Sequence, residues 1–194
     1  MIAVDVVLLP PREVMEKAIE INRRIIDAEG NDIVLDMDKY IPHITLAMGC
    51  VEEKDLERVD FILNDIATSF RPVSMKTVPS KGGKAWIKID KTRDIELLHE
   101  IVMIRMQKFF SYRVSTDMIC HGEREEINDV TRDYIRKFPT ASSFENYTPH
   151  ITVGSGETAV EVGSFEFTST ELALCHLGNF CTCGKVLFSH TLSG

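Results

Sequence analysis

The chain has 194 residues, with 22 Lys+Arg, 30 Asp+Glu and a formal net charge of −8; 44% is hydrophobic and 27% charged. That balance belongs to a globular protein of one large domain or two small lobes sharing a core, and it excludes a disordered or fibrous chain. An acidic total also excludes broad, sequence-blind coating of nucleic acid, which needs an excess of Lys and Arg, but leaves room for a small basic pocket around one phosphate.

The opening run Ile2-Ala3-Val4-Asp5-Val6-Val7-Leu8-Leu9, stopped by Pro10-Pro11, predicts a buried strand over 2–9. It is too short to span a membrane and, without cationic flanks, is not expected to act as a signal peptide. A helix is expected over 12–28 from the spacing of Val14, Ala18, Ile21, Ile25 and Ile26, with Gly30 as its stop. A strand over 41–48 ends at Gly49. A second helix over 52–69 carries the stripe Leu56, Val59, Ile62, Leu63 and Ile66. Strands follow at 72–79 and 84–90, separated by a turn at Lys81-Gly82-Gly83. The second half begins with a helix over 94–110, has a strand at 149–153, and closes with strands over 164–178 and 185–192 joined by a turn at 179–184. Between them, 112–147 is an extra segment with a helix expected over about 123–138. Five cysteines, an odd number without framework spacing, predict no structural disulfide and place the chain in the cytosol.

Internal similarity is the main signal. Tyr40-Ile41-Pro42-His43-Ile44-Thr45 and Tyr147-Thr148-Pro149-His150-Ile151-Thr152 agree at five of six positions. The opening strands and helices superpose at an offset of 81, the hexapeptides at 107, and the difference of 26 is what one inserted helix would supply. The chain thus reads as a single bilobal domain over 1–194, built from a duplicated β-α-β unit with interleaved lobes. The approximate repeats are 1–79 and 84–194, and the insertion is 112–147.

Residues two apart in a strand share a face, so His43 lies beside Thr45 and His150 beside Thr152. Two related lobes can set both pairs across one cleft. That suits displacement at phosphorus: a neutral imidazole takes the proton of an attacking hydroxyl while an imidazolium protonates the leaving oxygen. Threonine hydroxyls can hold the non-bridging oxygens. No metal or other cofactor is called for.

These two His-x-Thr motifs, half a chain apart and each flanked by apolar residues, resemble those of the two-histidine (2H) phosphoesterases. That family includes the 2'-5' RNA ligase-like (LigT-like) proteins and the cyclic nucleotide phosphodiesterases. The resemblance extends over the opening strand and helix, the Trp86 strand and the Glu171-Leu172-Ala173-Leu174 hairpin. It implies a bilobal α+β fold with antiparallel sheets around a central cleft, and metal-independent chemistry on 2',3'-cyclic phosphates or 2'-5' linkages of RNA ends or small nucleotides. By the same resemblance His43 and His150 are the catalytic acid/base pair, and Thr45 and Thr152 hold phosphate. Which histidine is the acid stays open, as does hydrolysis against the reverse ligation. A non-catalytic module that binds a nucleotide or RNA end is the third reading; the intact pair of motifs speaks against it.

Residues 71–93 hold seven cations against the single Asp90. Lys84, Trp86 and Lys88 share one strand face, so the indole could stack a base while the lysines meet phosphate; a solvated edge strand guarded by lysine explains them equally well. Asp5 aligns with Trp86 at the offset of 81 and faces either the cleft or a strand edge. Tyr40 and Tyr147, three before each histidine, are expected to pack in the core. The grouping of Cys175, His176, Cys181 and Cys183 lacks a Cys-x₂-Cys pair and is not expected to hold zinc, and His99, His121 and His190 read as surface or packing residues. Gly154-Ser155-Gly156 does not match a P-loop. The expected partners are therefore an RNA end or small nucleotide and no membrane, with the chain itself expected to be monomeric.

Overall fold

The computed structural model describes residues 1–79, 84–123, 125–156 and 162–194. The near-continuous apolar run Ile2–Leu9 forms strand β1, and its composition matches its place: it is a central strand with almost every residue buried. It lies between β2 (Ile44–Val51) and β7 (Glu171–Leu177), with β8 (Cys183–Thr191) outside β7, in the antiparallel order β2-β1-β7-β8. Val4, Val6 and Leu8 join the main core. Val7 packs with Ala173, Cys175 and Cys183 in a small second cluster on the opposite face.

The second sheet pairs β3 (Val73–Lys76) with β6 (Glu166–Ser169), and β4 (Trp86–Lys88) with β5 (His150–Thr152). An antiparallel bridge between Thr77 and Ile89 joins the pairs in the order β6-β3-β4-β5. Helix α1 (Arg12–Glu29) ends where Gly30 takes a positive φ of 73° and donates its N–H to the Ile26 carbonyl. Its core face is Val14, Met15, Ala18, Ile19, Asn22 and Ile25, while Ile21 and Ile26 are only half-buried. α2 (Leu56–Ser69) packs on β7 and β8, and α3 (Arg93–Met106) packs on β2. The halves are also latched together: the buried Asn22 amide donates to the carbonyls of Ile33 (2.8 Å) and Val153 (2.9 Å), and its oxygen accepts from the N–H of Leu35 (2.9 Å).

Several boundaries differ from the sequence-based expectation. β2 begins at Ile44 rather than 41, because Pro42 has no N–H to give a ladder. The expected strand over 164–178 is two strands: β6 belongs to one sheet and β7 to the other, and the chain changes sheet at Thr170. The inserted helix α4 spans Asp129–Ala141, starting later than expected because the Asn128 side chain caps it by accepting from the Val130 N–H at 2.9 Å. The Lys81-Gly82-Gly83 turn lies outside the described residues. The cysteine reading is corrected: Cys175 and Cys183 form a disulfide across the β7–β8 hairpin, their Cα atoms 5.4 Å apart on one face. An odd count leaves cysteines over but does not prevent one pair, so the cysteine argument for a reducing compartment falls with it. No helix among the described residues is long and apolar enough to cross a membrane.

Candidate active site

Each His-x-Thr motif sits where a strand begins. Ile44 and Ile151 are fully buried in the core, which turns the flanking histidines and threonines to the other face. β2 and β5 pack against each other, and His43, Thr45, His150 and Thr152 all line one cleft of about 320 Å³. Each ring is fixed in the same way: Nδ1 of His43 lies 2.7 Å from the Ile41 carbonyl and Nδ1 of His150 lies 2.7 Å from the Thr148 carbonyl. A carbonyl only accepts, so each Nδ1 carries the hydrogen, and Nε2 is left for chemistry on both rings.

The two environments then diverge. Asp5, on the central strand β1, is completely buried; its Oδ2 accepts the Thr45 hydroxyl hydrogen at 2.7 Å and faces His43 Nε2 at 3.5 Å. Its Oδ1 has no hydrogen-bond partner among the described residues. An unmatched buried acceptor costs about 1–3 kcal/mol. Burial raises the Asp5 pKa, opposed by His43 and Thr45. Burial also pulls His43 down, but the hydrogen bond and charge of Asp5, helped by the carbonyls of Ile41 and Cys181, outweigh it and hold His43 above the ordinary value. Each partner thus favours the charged form of the other, against the burial they share. His150 goes the other way: burial, reinforced by the charges of His43 and Lys84, lowers it to about 4, against the pull of the Thr148 carbonyl.

Trp86 stacks on His150 with ring centroids 3.7 Å apart, and Lys84 Nζ sits 4.4 Å over the same indole. The indole, itself part of the cleft lining, is thereby engaged with protein groups. Lys84 lines the cleft, whereas Lys88 shares the strand face but is exposed outside the cleft lining. Thr45 and Thr152 both line the cleft, and the Thr45 hydroxyl donates its hydrogen to Asp5. Asp5 is not on an edge. The strand register also revises its alignment: Val7 faces Thr45 as Trp86 faces Thr152, so the position matching Asp5 is Lys84, two residues earlier in the chain. A carboxylate and an ammonium thus occupy corresponding places beside the two histidines.

Tyr147 is buried, donating its hydroxyl to the Thr45 carbonyl at 3.0 Å and stacking on His99 at 3.9 Å. Tyr40 packs against the main core as expected, though it is only half-buried, with a φ of 54° and its hydroxyl 3.3 Å from Glu125. His99 is fully buried between the Leu46 carbonyl and the Phe144 N–H, which fixes a neutral tautomer. Sequence reasoning missed Tyr134 of α4, and Phe180 and Cys181 of the turn at Asn179–Cys181, which complete the cleft wall. Phe180 and Cys181 have φ of 54° and 56°, an uncommon conformation outside glycine. Two adjacent left-handed residues carry no local sequence signal. Among the described residues no group of three or more His, Cys, Asp or Glu side chains is placed to hold a metal ion.

This arrangement of two lobes, two sheets and a shared cleft defines a LigT-like α+β fold. No family model matches the sequence, and no curated protein matches it. Among solved structures, the protein TT0787 of Thermus thermophilus superposes with a TM-score of 0.59 at 13% identity, over 100% of this chain and 99% of that one. E. coli LigT in complex with 3'-AMP superposes with a TM-score of 0.54 at 14% identity, over 98% of both chains. The same protein in complex with phosphate gives 0.52 at 12%, over 98% of this chain and 97% of that one. At such identities the likeness is one of fold.

Proposed function

We propose that the protein is a metal-independent phosphodiesterase that opens a 2',3'-cyclic phosphate or cleaves a 2'-5' phosphodiester, acting on an RNA end or small nucleotide. The observation that carries this is the convergence of two His-x-Thr pairs on one cleft, both imidazoles anchored through Nδ1 and presenting Nε2. The LigT fold, seen with 3'-AMP and with phosphate in other crystals, supports a nucleotide phosphate as the ligand. One imidazole accepts the proton of the attacking hydroxyl, while the other protonates the leaving oxygen. Thr152 and Lys84 are the groups placed to meet the non-bridging oxygens; Thr45 joins them only if its hydrogen leaves Asp5. The tyrosine and phenylalanine of the cleft wall, Tyr134 and Phe180, offer aromatic surface to a nucleobase. The same groups run in reverse would join a 2',3'-cyclic phosphate end to a 5'-hydroxyl end.

The test is a panel of 2',3'-cyclic and 2'-5'-linked nucleotides assayed with EDTA present. Turnover is expected to survive chelation, and His43→Ala and His150→Ala each to lose at least about 10²-fold, the low end for a positioned acid or base. Loss on chelation with full recovery on adding a divalent ion refutes the proposal.

A further inference from the structure

The two motifs are interchangeable in sequence but not in the fold. On one side a fully buried carboxylate from the centre of a sheet reaches both members of the motif through a single oxygen: Thr45 Oγ1 at 2.7 Å and His43 Nε2 at 3.5 Å. On the other side the corresponding strand position is Lys84, and His150 lies on the indole of Trp86. We propose that Asp5 is a positioning residue that reserves the proton-donor role for His43 and thereby leaves the acceptor role to His150. This rests on the two-histidine reading above and goes beyond it, since that reading leaves the two roles interchangeable.

A carboxylate with one buried oxygen unmatched is a poor choice for stability in the middle of a β-sheet. Its one productive contact set is His43 with Thr45. The other titratable groups facing the pair carry no competing charge. Tyr147 and Tyr134 are pushed up by burial, as is the Cys181 thiol, so all three stay neutral. The Cys181 and Ile41 carbonyls further favour a charged His43. Around His150 the neighbours are His43, Lys84, the Thr148 carbonyl and Trp86. An indole face attracts an imidazolium, but Lys84 already sits over that indole and repels one.

In the reaction, the attacking hydroxyl oxygen, of water or ribose, bonds to phosphorus as its proton passes to Nε2 of neutral His150. The P–O bond to the leaving ribose oxygen breaks, and that oxygen takes the Nε2 proton of the His43 imidazolium. The cycle resets when His150 gives a proton to solvent and His43 recovers one.

The experiment is an NMR titration of the imidazole nitrogens in wild type and in Asp5→Asn, together with pH–rate profiles on a 2',3'-cyclic nucleotide in EDTA. Wild-type His43 is expected to titrate above free histidine and His150 below it. In Asp5→Asn the His43 titration should fall by at least about one pH unit, and the alkaline limb of the rate profile should move down with it. The acid limb, belonging to His150, should move much less. His43 titrating at or below free histidine in the wild type overturns the proposal, whether or not the variant folds. So does an alkaline limb that stays put in a folded Asp5→Asn. The titration needs no substrate. Absence of turnover across the panel therefore counts against the phosphodiesterase itself, whereas turnover with an unshifted His43 counts against Asp5 alone.

Discussion

Asn179 is expected to be the pin of the cleft wall, and Asn179→Ala tests it. Its buried amide ties two separate pieces of chain together: Oδ1 accepts from the N–H of Asn128 at 3.0 Å, the hydroxyl of Thr131 at 3.1 Å and the N–H of Phe180 at 3.2 Å, while Nδ2 donates to the Glu126 carbonyl at 3.0 Å. The Phe180 N–H is held more closely by Thr131 Oγ1, at 2.8 Å, so it survives the substitution. Three bonds are lost outright, at about 0.5–1.5 kcal/mol each, and the partners left behind are partly buried, which places the total near about 3 kcal/mol. For a chain of this size that lowers Tm by about 6–12 °C. Urea unfolding gives the free energy directly. Because α4 and the Asn179–Cys181 turn also wall the cleft, KM for a cyclic nucleotide should rise. A loss under about 0.5 kcal/mol, the low end for a single bond, with an unchanged KM refutes the reasoning.

The remaining predictions concern protons and sulfur. His150 has a lowered pKa, so between pH 6.5 and about 4 the unfolded chain binds the proton that the folded chain refuses. Stability should therefore decline as pH falls through that window, by at most about 3 kcal/mol from this residue at about 1.36 kcal/mol per pH unit, before allowance for screening of a partly exposed ring. His99, also lowered by burial, adds in the same direction. Urea unfolding against pH should show a shallower decline in His150→Gln; an identical slope contradicts the assignment. Reducing Cys175–Cys183, which closes a loop with a sequence separation of 8, should cost about 2–3 kcal/mol by chain entropy, and an unchanged unfolding midpoint in reductant would speak against the bond.

The gathering of the two motifs at one cleft was legible in the sequence because it depends on a period of two. Alternation alone assigns His43, Thr45, His150 and Thr152 to one face and Ile44 and Ile151 to the core, and the repeat brings the two strands into equivalent places. The helical stripe of α2 was legible for the same kind of reason: Val59, Ile62, Leu63 and Ile66 are all buried. What depended on register was not. The offset of 81 matched Asp5 to Trp86, but the ladders set Val7 opposite Thr45 as Trp86 is opposite Thr152, and two residues back along each strand Asp5 then matches Lys84. Long-range partners were equally hidden. Nothing local says that Trp86 will lie on His150, that Cys175 will meet Cys183, or that an inserted helix will bring Tyr134 to the cleft.

The carbonyls of two successive residues, Thr45 and Leu46, are gripped by Tyr147 and His99, and those two rings lie face to face. The first motif is therefore braced by the residue that leads into the second, and neither half can drift without dragging its twin. A change of length in either half would therefore displace both pairs of His and Thr side chains at the cleft.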